Sequence, residues 1–121
     1  MRFGTITRTM FMPNYLRNEV VLVRYPFSDL TNFKVRPAVV VNGIHASKDL
    51  LLVSLTSKTN NLLAGEFLLS DWRSAGLNVA SSVKRGIFTI HEKLVLRSVG
   101  TLADADVRNL DNSLRDWLLL S

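Results

Sequence analysis

The sequence predicts a mainly β, α+β fold: a compact, barrel-like sheet of antiparallel strands followed by one C-terminal amphipathic helix. Three observations predict it. Short runs rich in β-branched and aromatic residues recur between residues 19 and 100, with turn-forming residues between them. One of these runs ends at Asn42-Gly43, a strong turn signal. From residue 104 onward the apolar residues recur at helical spacing instead, which places a helix after the sheet.

Each strand is predicted from its own run of residues. The expected strands cover residues 19–27, 36–43, 49–57, 65–70, 82–90 and 92–100. Pro26 suits the end of the first strand, and the nearly continuous apolar character of residues 49–57 predicts burial on both faces. Residues 28–34 contain Ser, Asp and Asn without periodicity, so we expect a loop there.

Two helical segments are predicted. Residues 71–77 read as a single helical turn, capped by Ser70 or Asp71 and stopped by Gly76. The C-terminal helix places Val107, Leu110, Leu114, Trp117 and Leu118 on one face, and Asp104 or Asp106 is expected to cap it. We expect Trp72 to anchor the short turn to the barrel. Trp117 and the terminal leucines 118–120 are expected to cover the barrel mouth or a dimer seam.

The chain length of 121 residues fits one domain with its own core. Met10 and Met12 are both plausible translation starts, so residues 1–14 are expected to be an N-terminal extension that is mobile or only loosely attached. Residues 15–121 are expected to form the domain. The opening residues lack the apolar centre of a signal peptide, and no apolar run approaches the roughly 18 residues of a membrane span. We therefore expect no membrane association.

The charge balance favours an anionic partner. The chain has 15 basic and 10 acidic residues, a net charge of +5, although many small soluble domains are also basic. It has no cysteine, which excludes disulfides and thiolate metal sites and fits a cytoplasmic protein. No His, Asp and Glu cluster has metal-ligand spacing, so we expect neither a metal nor a cofactor.

Five strings in a fixed order carry a resemblance to a known family. They are "VVLVRYPFSD", "KVRPAVVV", "SLTSK", "DWRSAGL" and "FTI" followed by "LVLRSVGTL". Their order resembles that of the MazF/PemK-type toxins of bacterial toxin–antitoxin pairs, from about residue 15 to the end. The most specific parts are Pro-Phe-Ser-Asp followed by Arg-Pro-Ala, and the strand that ends in Leu-Thr-Ser.

The resemblance implies an SH3-like small barrel that works as a homodimer. It implies a metal-independent endoribonuclease that cuts single-stranded RNA at short sequences, through attack of the 2′-hydroxyl, and leaves 2′,3′-cyclic phosphate and 5′-hydroxyl ends. A cognate antitoxin would block it by laying an acidic segment across the RNA groove.

Arg36 and Thr56 are the predicted catalytic residues. Arg36 matches the arginine of the family's Arg-Pro motif, and an arginine fork can hold two oxygens of a phosphorane without losing its charge. Thr56 matches the family's hydroxyl at the end of the third strand, which can hydrogen-bond the scissile phosphate. In the alternative interpretation, Arg36 is a strand-edge arginine paired with Asp29, and Thr56 is simply a residue that favours strands.

Eight further residues are expected to contact RNA. Four belong to the predicted loop 28–34 and offer an aromatic ring for stacking together with polar and charged groups. The other four offer a hydroxyl or a positive charge. They are Ser28, Asp29, Phe33, Lys34, Ser57, Lys58, Lys84 and Arg85.

One departure from the family pattern affects the chemistry. Some members carry an arginine and an aspartate on the fifth strand, but here that strand reads "SVKRGIFTI", with no carboxylate and with Gly86. The general base is therefore unassigned, and His91 and His45 are weak candidates outside any motif. A non-catalytic module that binds RNA or inhibits a partner, in the manner of gyrase poisons on related barrels, is the alternative function. A degenerate toxin kept as a regulator is a third.

Overall fold

The computed structural model describes residues 15–26, 33–43 and 48–120. In these ranges the chain forms seven strands and a C-terminal helix, with strand order β4-β5-β3-β2-β1-β7 and β6 paired with β3. The longer strands are β1 (Glu19–Pro26), β2 (Phe33–Val40), β3 (Asp49–Thr56) and β7 (Val95–Thr101). The shorter elements are β4 (Phe67–Leu68), β5 (Ser82–Val83), β6 (Phe88–His91), a 3-10 turn at Glu92–Leu94 and α1 (Asp104–Leu118). All strand pairs are antiparallel, which confirms the predicted fold class.

The alternation of apolar residues along the central strands builds two cores, one on each face of the sheet. On β2, Val39 packs into one cluster, which includes Leu110 and Leu114 of α1. Its neighbours Ala38 and Val40 pack into the other. Burial of apolar surface on both faces is the main stabilising contribution for a sheet of this size.

Three sequence predictions for the strands need correction. β3 alternates at its start, where Leu51 is exposed between the buried Leu50 and Leu52, so it is not buried on both faces throughout. β2 begins at Phe33, which removes Phe33 and Lys34 from the predicted loop. The expected strand 82–90 is split at Gly86, whose φ of +126° lies in a region that L side chains rarely adopt.

The helical turn after β4 is stopped by Gly76, as predicted. Gly76 has φ +84°, and its N–H donates to the carbonyl of Arg73 while the N–H of Leu77 donates to that of Trp72. This bond pair is the Schellman arrangement that ends helical turns. Asp71 caps the turn by accepting from the hydroxyl and N–H of Ser74, and these bonds hold the pKa of its carboxyl below its usual value.

The prediction that Asp104 or Asp106 caps α1 is wrong. The N-cap is Ala103, and no side chain caps the helix. Asp106 is fully buried and points to the loop after β4 instead, where it accepts from the N–H of Ser70 (2.8 Å), the hydroxyl of Ser70 (3.0 Å) and the N–H of Asp71 (3.1 Å). Three donors satisfy a carboxylate that would be costly to bury unpaired.

The C-terminal residues divide between core and surface. Trp72 and Trp117 pack against the cluster that holds Leu110, so Trp72 anchors its turn as expected. Leu119 ends α1 in the left-handed region with φ 56°, and leucines 118–120 remain exposed. In the described ranges, no helix is both long and apolar enough to cross a bilayer.

A candidate nucleic-acid groove

The pairing of β2 with β3 brings the two predicted catalytic residues together. Ala38 is the partner of Ser54 and Val39 of Val53. Continuing this antiparallel register by two residues sets Arg36 opposite Thr56, and strand alternation puts both side chains on the same face. Strand pairing alone therefore makes neighbours of two residues that are 20 positions apart.

Arg36 and Thr56 both border one groove of about 260 Å³. Strands β1, β2, β3 and β7 form one side of it, and the segment 76–81 forms the other. The described residues that line it include two arginines and no carboxylate: Leu22, Val35, Arg36, Pro37, Leu55, Thr56, Ser57, Gly76, Leu77, Asn78, Val79, Ser81, Arg97 and Val99. This groove combines cationic, hydroxyl and apolar groups, which suits phosphates and unstacked bases.

Arg36 is exposed, and neither a hydrogen bond nor an ion pair joins it to another residue of the described ranges. Asp29, its carboxylate partner in the alternative interpretation, lies outside the described residues, as do Ser28 and His45. Within these ranges the guanidinium donors of Arg36 are available to an anion in the groove.

The hydroxyl of Thr56 is oriented by its own turn. Its Oγ1 accepts from the N–H of Lys58 at 3.2 Å, so its proton is available to an acceptor in the groove. Ser82, the Cα partner of Thr56 on β5, is fully buried and donates its hydroxyl to the carbonyl of Lys58 at 2.6 Å. This pair of bonds fixes the turn that carries Thr56.

A second cleft of about 240 Å³ meets the groove at Thr56. Two of the predicted RNA-binding lysines, Lys58 and Lys84, border it. Glu66 is the carboxylate among its described lining residues, and the N–H groups of Leu63 (2.9 Å) and Arg85 (3.1 Å) donate to it. These bonds hold the pKa of Glu66 below its usual value, which makes it a poor proton acceptor.

The remaining predicted RNA-binding residues are less closely associated with the groove. Ser57 borders it, whereas Lys34 is exposed on β2 and borders neither cavity. Phe33 is placed by its backbone at the start of β2. Arg85 donates from its guanidinium to the carbonyl of Ala64 at 3.2 Å and borders neither cavity.

His91 has a local role. Its Nδ1 accepts from the N–H of Lys93 at 3.1 Å and thereby caps the 3-10 turn. It does not border the groove. Among the described side chains, no three His, Asp or Glu groups converge on a possible metal position.

Three polar groove residues were not predicted from the sequence: Asn78, Ser81 and Arg97. Arg97 lies on β7 and Asn78 in the segment after the helical turn. Arg97 falls in the string LVLRSVGTL, for which no RNA contact was predicted, and Asn78 and Ser81 fall in none of the five strings. Only the three-dimensional arrangement therefore reveals them as groove residues. The basic residue Arg97 in an amphipathic strand was the available signal, but it is also typical of a solvated strand face.

The fold matches solved structures of low sequence identity. An endoribonuclease from a mycobacterial species matches with a TM-score of 0.69 at 21% identity, over 91% of this chain and 96% of that one. Another, solved in complex with its cognate antitoxin, matches with a TM-score of 0.66 at 18% identity, over 88% and 97%. A MazE–MazF structure from Deinococcus radiodurans gives 0.70 at 12% identity, over 88% and 98%. These likenesses establish the fold.

No curated protein matches the chain in sequence. The family profile described as PemK-like, MazF-like toxin of type II toxin–antitoxin system matches residues 16–118, nearly all of the described domain. The five strings that carried the resemblance lie within or overlap this range. The chain therefore belongs to the PemK-like, MazF-like toxins of type II toxin–antitoxin systems.

Proposed function

We propose that this chain is an endoribonuclease toxin that cleaves single-stranded RNA at short sequences without a metal ion. One observation carries the proposal: Arg36 and Thr56 border the same groove, and the described residues that line it include no carboxylate. Family membership supports it, because two of the structural relatives are named endoribonucleases.

In the proposed reaction the RNA 2′-hydroxyl oxygen attacks the adjacent phosphorus. The O2′–P bond forms and the P–O5′ bond breaks, so the 2′-hydroxyl loses a proton and the leaving O5′ gains one. Arg36 neutralises the charge on the phosphorane oxygens, and the Thr56 hydroxyl donates to one of them and holds the phosphate in line. The products are 2′,3′-cyclic phosphate and 5′-hydroxyl ends.

We assign the proton transfers to no residue. The described lining of the groove contains neither a carboxylate nor a histidine. Glu66 in the neighbouring cleft is engaged by two backbone donors.

The proposed partners follow from the same surface. A cognate antitoxin with an acidic segment would compete with RNA for Arg36 in the groove, in keeping with the relatives whose structures include an antitoxin or MazE. We propose a cytoplasmic location, where such a toxin would meet both RNA and an antitoxin.

We also propose that the chain works as a homodimer. A further groove of about 290 Å³ has apolar walls that include the exposed Leu118 and Leu120, with Arg17, Asp111 and Arg115 at its border. Apolar walls with charges of both signs suit contact with a second copy. Light scattering of the wild type and of Leu120→Asp tests this, since the proposal expects a dimer that the aspartate breaks.

The nuclease is tested by incubating a long single-stranded RNA with the antitoxin-free protein in EDTA and mapping the new ends. Arg36→Ala is the test variant, and Arg108→Ala is the matched control, because Arg108 is exposed on α1 and borders none of the cavities described above. We expect discrete cuts with cyclic phosphate ends from the wild type and the control, and a fall of at least about 100-fold with Arg36→Ala.

A non-catalytic binding module is the second candidate. The segment 82–90 favours this alternative, because Lys84 and Arg85 supply positive charge there but the segment has no carboxylate that could act as a base. RNA that is bound but left intact by the folded wild type would establish this alternative and overturn the nuclease.

A further inference from the structure

We propose that Arg97 forms a second phosphate subsite, at the end of the groove away from Arg36. The inference rests on the proposed binding of single-stranded RNA and adds a binding residue to it. Arg97 is the Cα partner of Leu22 on β1, and Leu22 is also the partner of Pro37 on β2. Pro37, Leu22 and Arg97 therefore lie in one row across three strands, and all three border the groove.

The row sets the spacing of the two arginines. Neighbouring strands lie about 4.8 Å apart, so Arg97 on β7 is about 10 Å from the β2 backbone at Pro37. Arg36 directly precedes Pro37 and borders the same groove as Arg97, so a distance of this order separates the backbones of the two arginines. Two cations so arranged suit different phosphates of one strand.

The opposite wall of the groove is fixed to the strand that carries Arg97. A Cβ on Gly76 would lie 2.0 Å from the carbonyl oxygen of Val99, and one on Gly100 would lie 2.5 Å from Ala75. These backbones are in direct contact just beyond Arg97 on the same strand. The segment 76–81 and β7 are thus held together before any ligand binds, which lowers the entropy cost of ordering the groove on binding.

The electrostatic setting of Arg97 also indicates an external anion. The residue is exposed, and among the described residues neither an ion pair nor a hydrogen bond engages it. The groove it borders contains Arg36 and, among its described lining residues, no acid. The fork of an arginine matches the oxygens of a phosphodiester, which is the anion that a single RNA strand would present.

The two arginines then differ in role. Arg36 faces Thr56 and acts on the reacting phosphate, whereas Arg97 holds a phosphate that does not react. Binding of a non-reacting group is equal in the ground state and the transition state, so it lowers KM and leaves kcat unchanged. This division separates Arg97 from a residue that only supports the fold.

The test measures binding and cleavage by wild type, Arg97→Ala, Arg97→Lys and the control Arg108→Ala. A fluorescent 2′-O-methyl RNA 12-mer, which lacks the attacking hydroxyl, reports affinity by anisotropy across a salt series. We expect Arg97→Ala to weaken binding about tenfold and to reduce the slope of log K against log salt by about 0.7, one single-strand phosphate contact. KM should rise with kcat unchanged, and Arg97→Lys should recover the salt slope but only part of the affinity.

The possible outcomes distinguish the Arg97 subsite from the proposed nuclease activity. If Arg97→Ala matches Arg108→Ala in slope and KM while the wild type cleaves, the subsite is overturned and the nuclease stands. If the wild type binds RNA without cleaving it, and Arg97→Ala still reduces the slope of log K against log salt by about 0.7, the subsite is supported and the nuclease is overturned. A wild type that does not bind the oligonucleotide overturns both.

Discussion

Asp106 and Arg36 are both charged residues in regular secondary structure, yet their surroundings are opposite. Asp106 is fully buried in α1 and receives three hydrogen bonds from Ser70 and Asp71. Arg36 is exposed on β2 and has no such bond within the described ranges. The two regions are connected, because the loop that Asp106 anchors continues into the wall of the groove at residues 76–81. The carboxylate of Asp106 is thus satisfied by hydrogen bonds inside the protein, whereas the guanidinium of Arg36 keeps its donors available at the groove.

Removing the buried carboxylate of Asp106 should reduce the stability of the fold more than any other substitution considered below. Asp106→Ala leaves the N–H groups of Ser70 and Asp71 without their acceptor, and we expect a loss of about 2 to 3 kcal/mol in the free energy of unfolding. Asp106→Asn keeps an oxygen for Ser70 but turns an amide toward Asp71, so its loss should be smaller. Urea denaturation measures both. Equal stability of Asp106→Ala and wild type would show that water replaces the carboxylate.

Gly76→Ala should cost about 2 kcal/mol, because the new methyl group meets the carbonyl of Val99 and the left-handed backbone disfavours it. Gly43→Ala is the matched control, since no atom of the described residues lies within 4 Å of its Cβ position. Thermal unfolding of the two variants gives the comparison. A similar melting temperature for both would mean that the loop does not pack tightly on β7.

Thr56→Val tests the role of the Thr56 hydroxyl at the groove, and its expected effect on kcat is moderate. It removes the hydroxyl that faces the groove and the acceptor of the Lys58 N–H, so we expect a fall in kcat of about tenfold, or about 1.4 kcal/mol. Thr56→Ser keeps both functions and should retain most of the activity. Single-turnover cleavage of a short RNA measures the effect. Full activity of the valine variant would remove Thr56 from the mechanism.

The smallest effect concerns Glu66 and depends on pH. Its pKa is lowered from 4.5 by the N–H donors of Leu63 and Arg85, so its contribution to stability is present above the unfolded pKa and is lost as pH falls through the folded pKa. Because the group is near the surface, we expect Glu66→Gln to cost only about 0.5 kcal/mol at neutral pH. Denaturation at pH 7 and pH 3 should show this difference shrinking in acid. A difference that grows in acid would contradict the assignment.

The part of the fold that depends on local patterns could be predicted from sequence. Strand alternation and helical periodicity predicted the sheet and α1, and a glycine predicted the end of the helical turn at Gly76. The motifs also marked Arg36 and Thr56, which border the same groove. Residues whose role depends on distant partners could not be predicted. Asp106 looks like a helix cap because an acidic residue in the first turn is the same signal in both roles, and its partner Ser70 is 36 positions away. Arg97 depends in the same way on the pairing of β7 with β1.

The contact between the loop and β7 also bears on how this chain can change by mutation. A Cβ added at Gly76 would collide with the backbone of Val99, and a Cβ added at Gly100 would collide with the backbone of Ala75. Most steric conflicts are relieved when a neighbouring side chain becomes smaller, but a main-chain atom cannot be exchanged by any substitution. Second-site suppressors of Gly76 or Gly100 variants should therefore be rare. A saturation scan should find these two positions among the least tolerant of the domain.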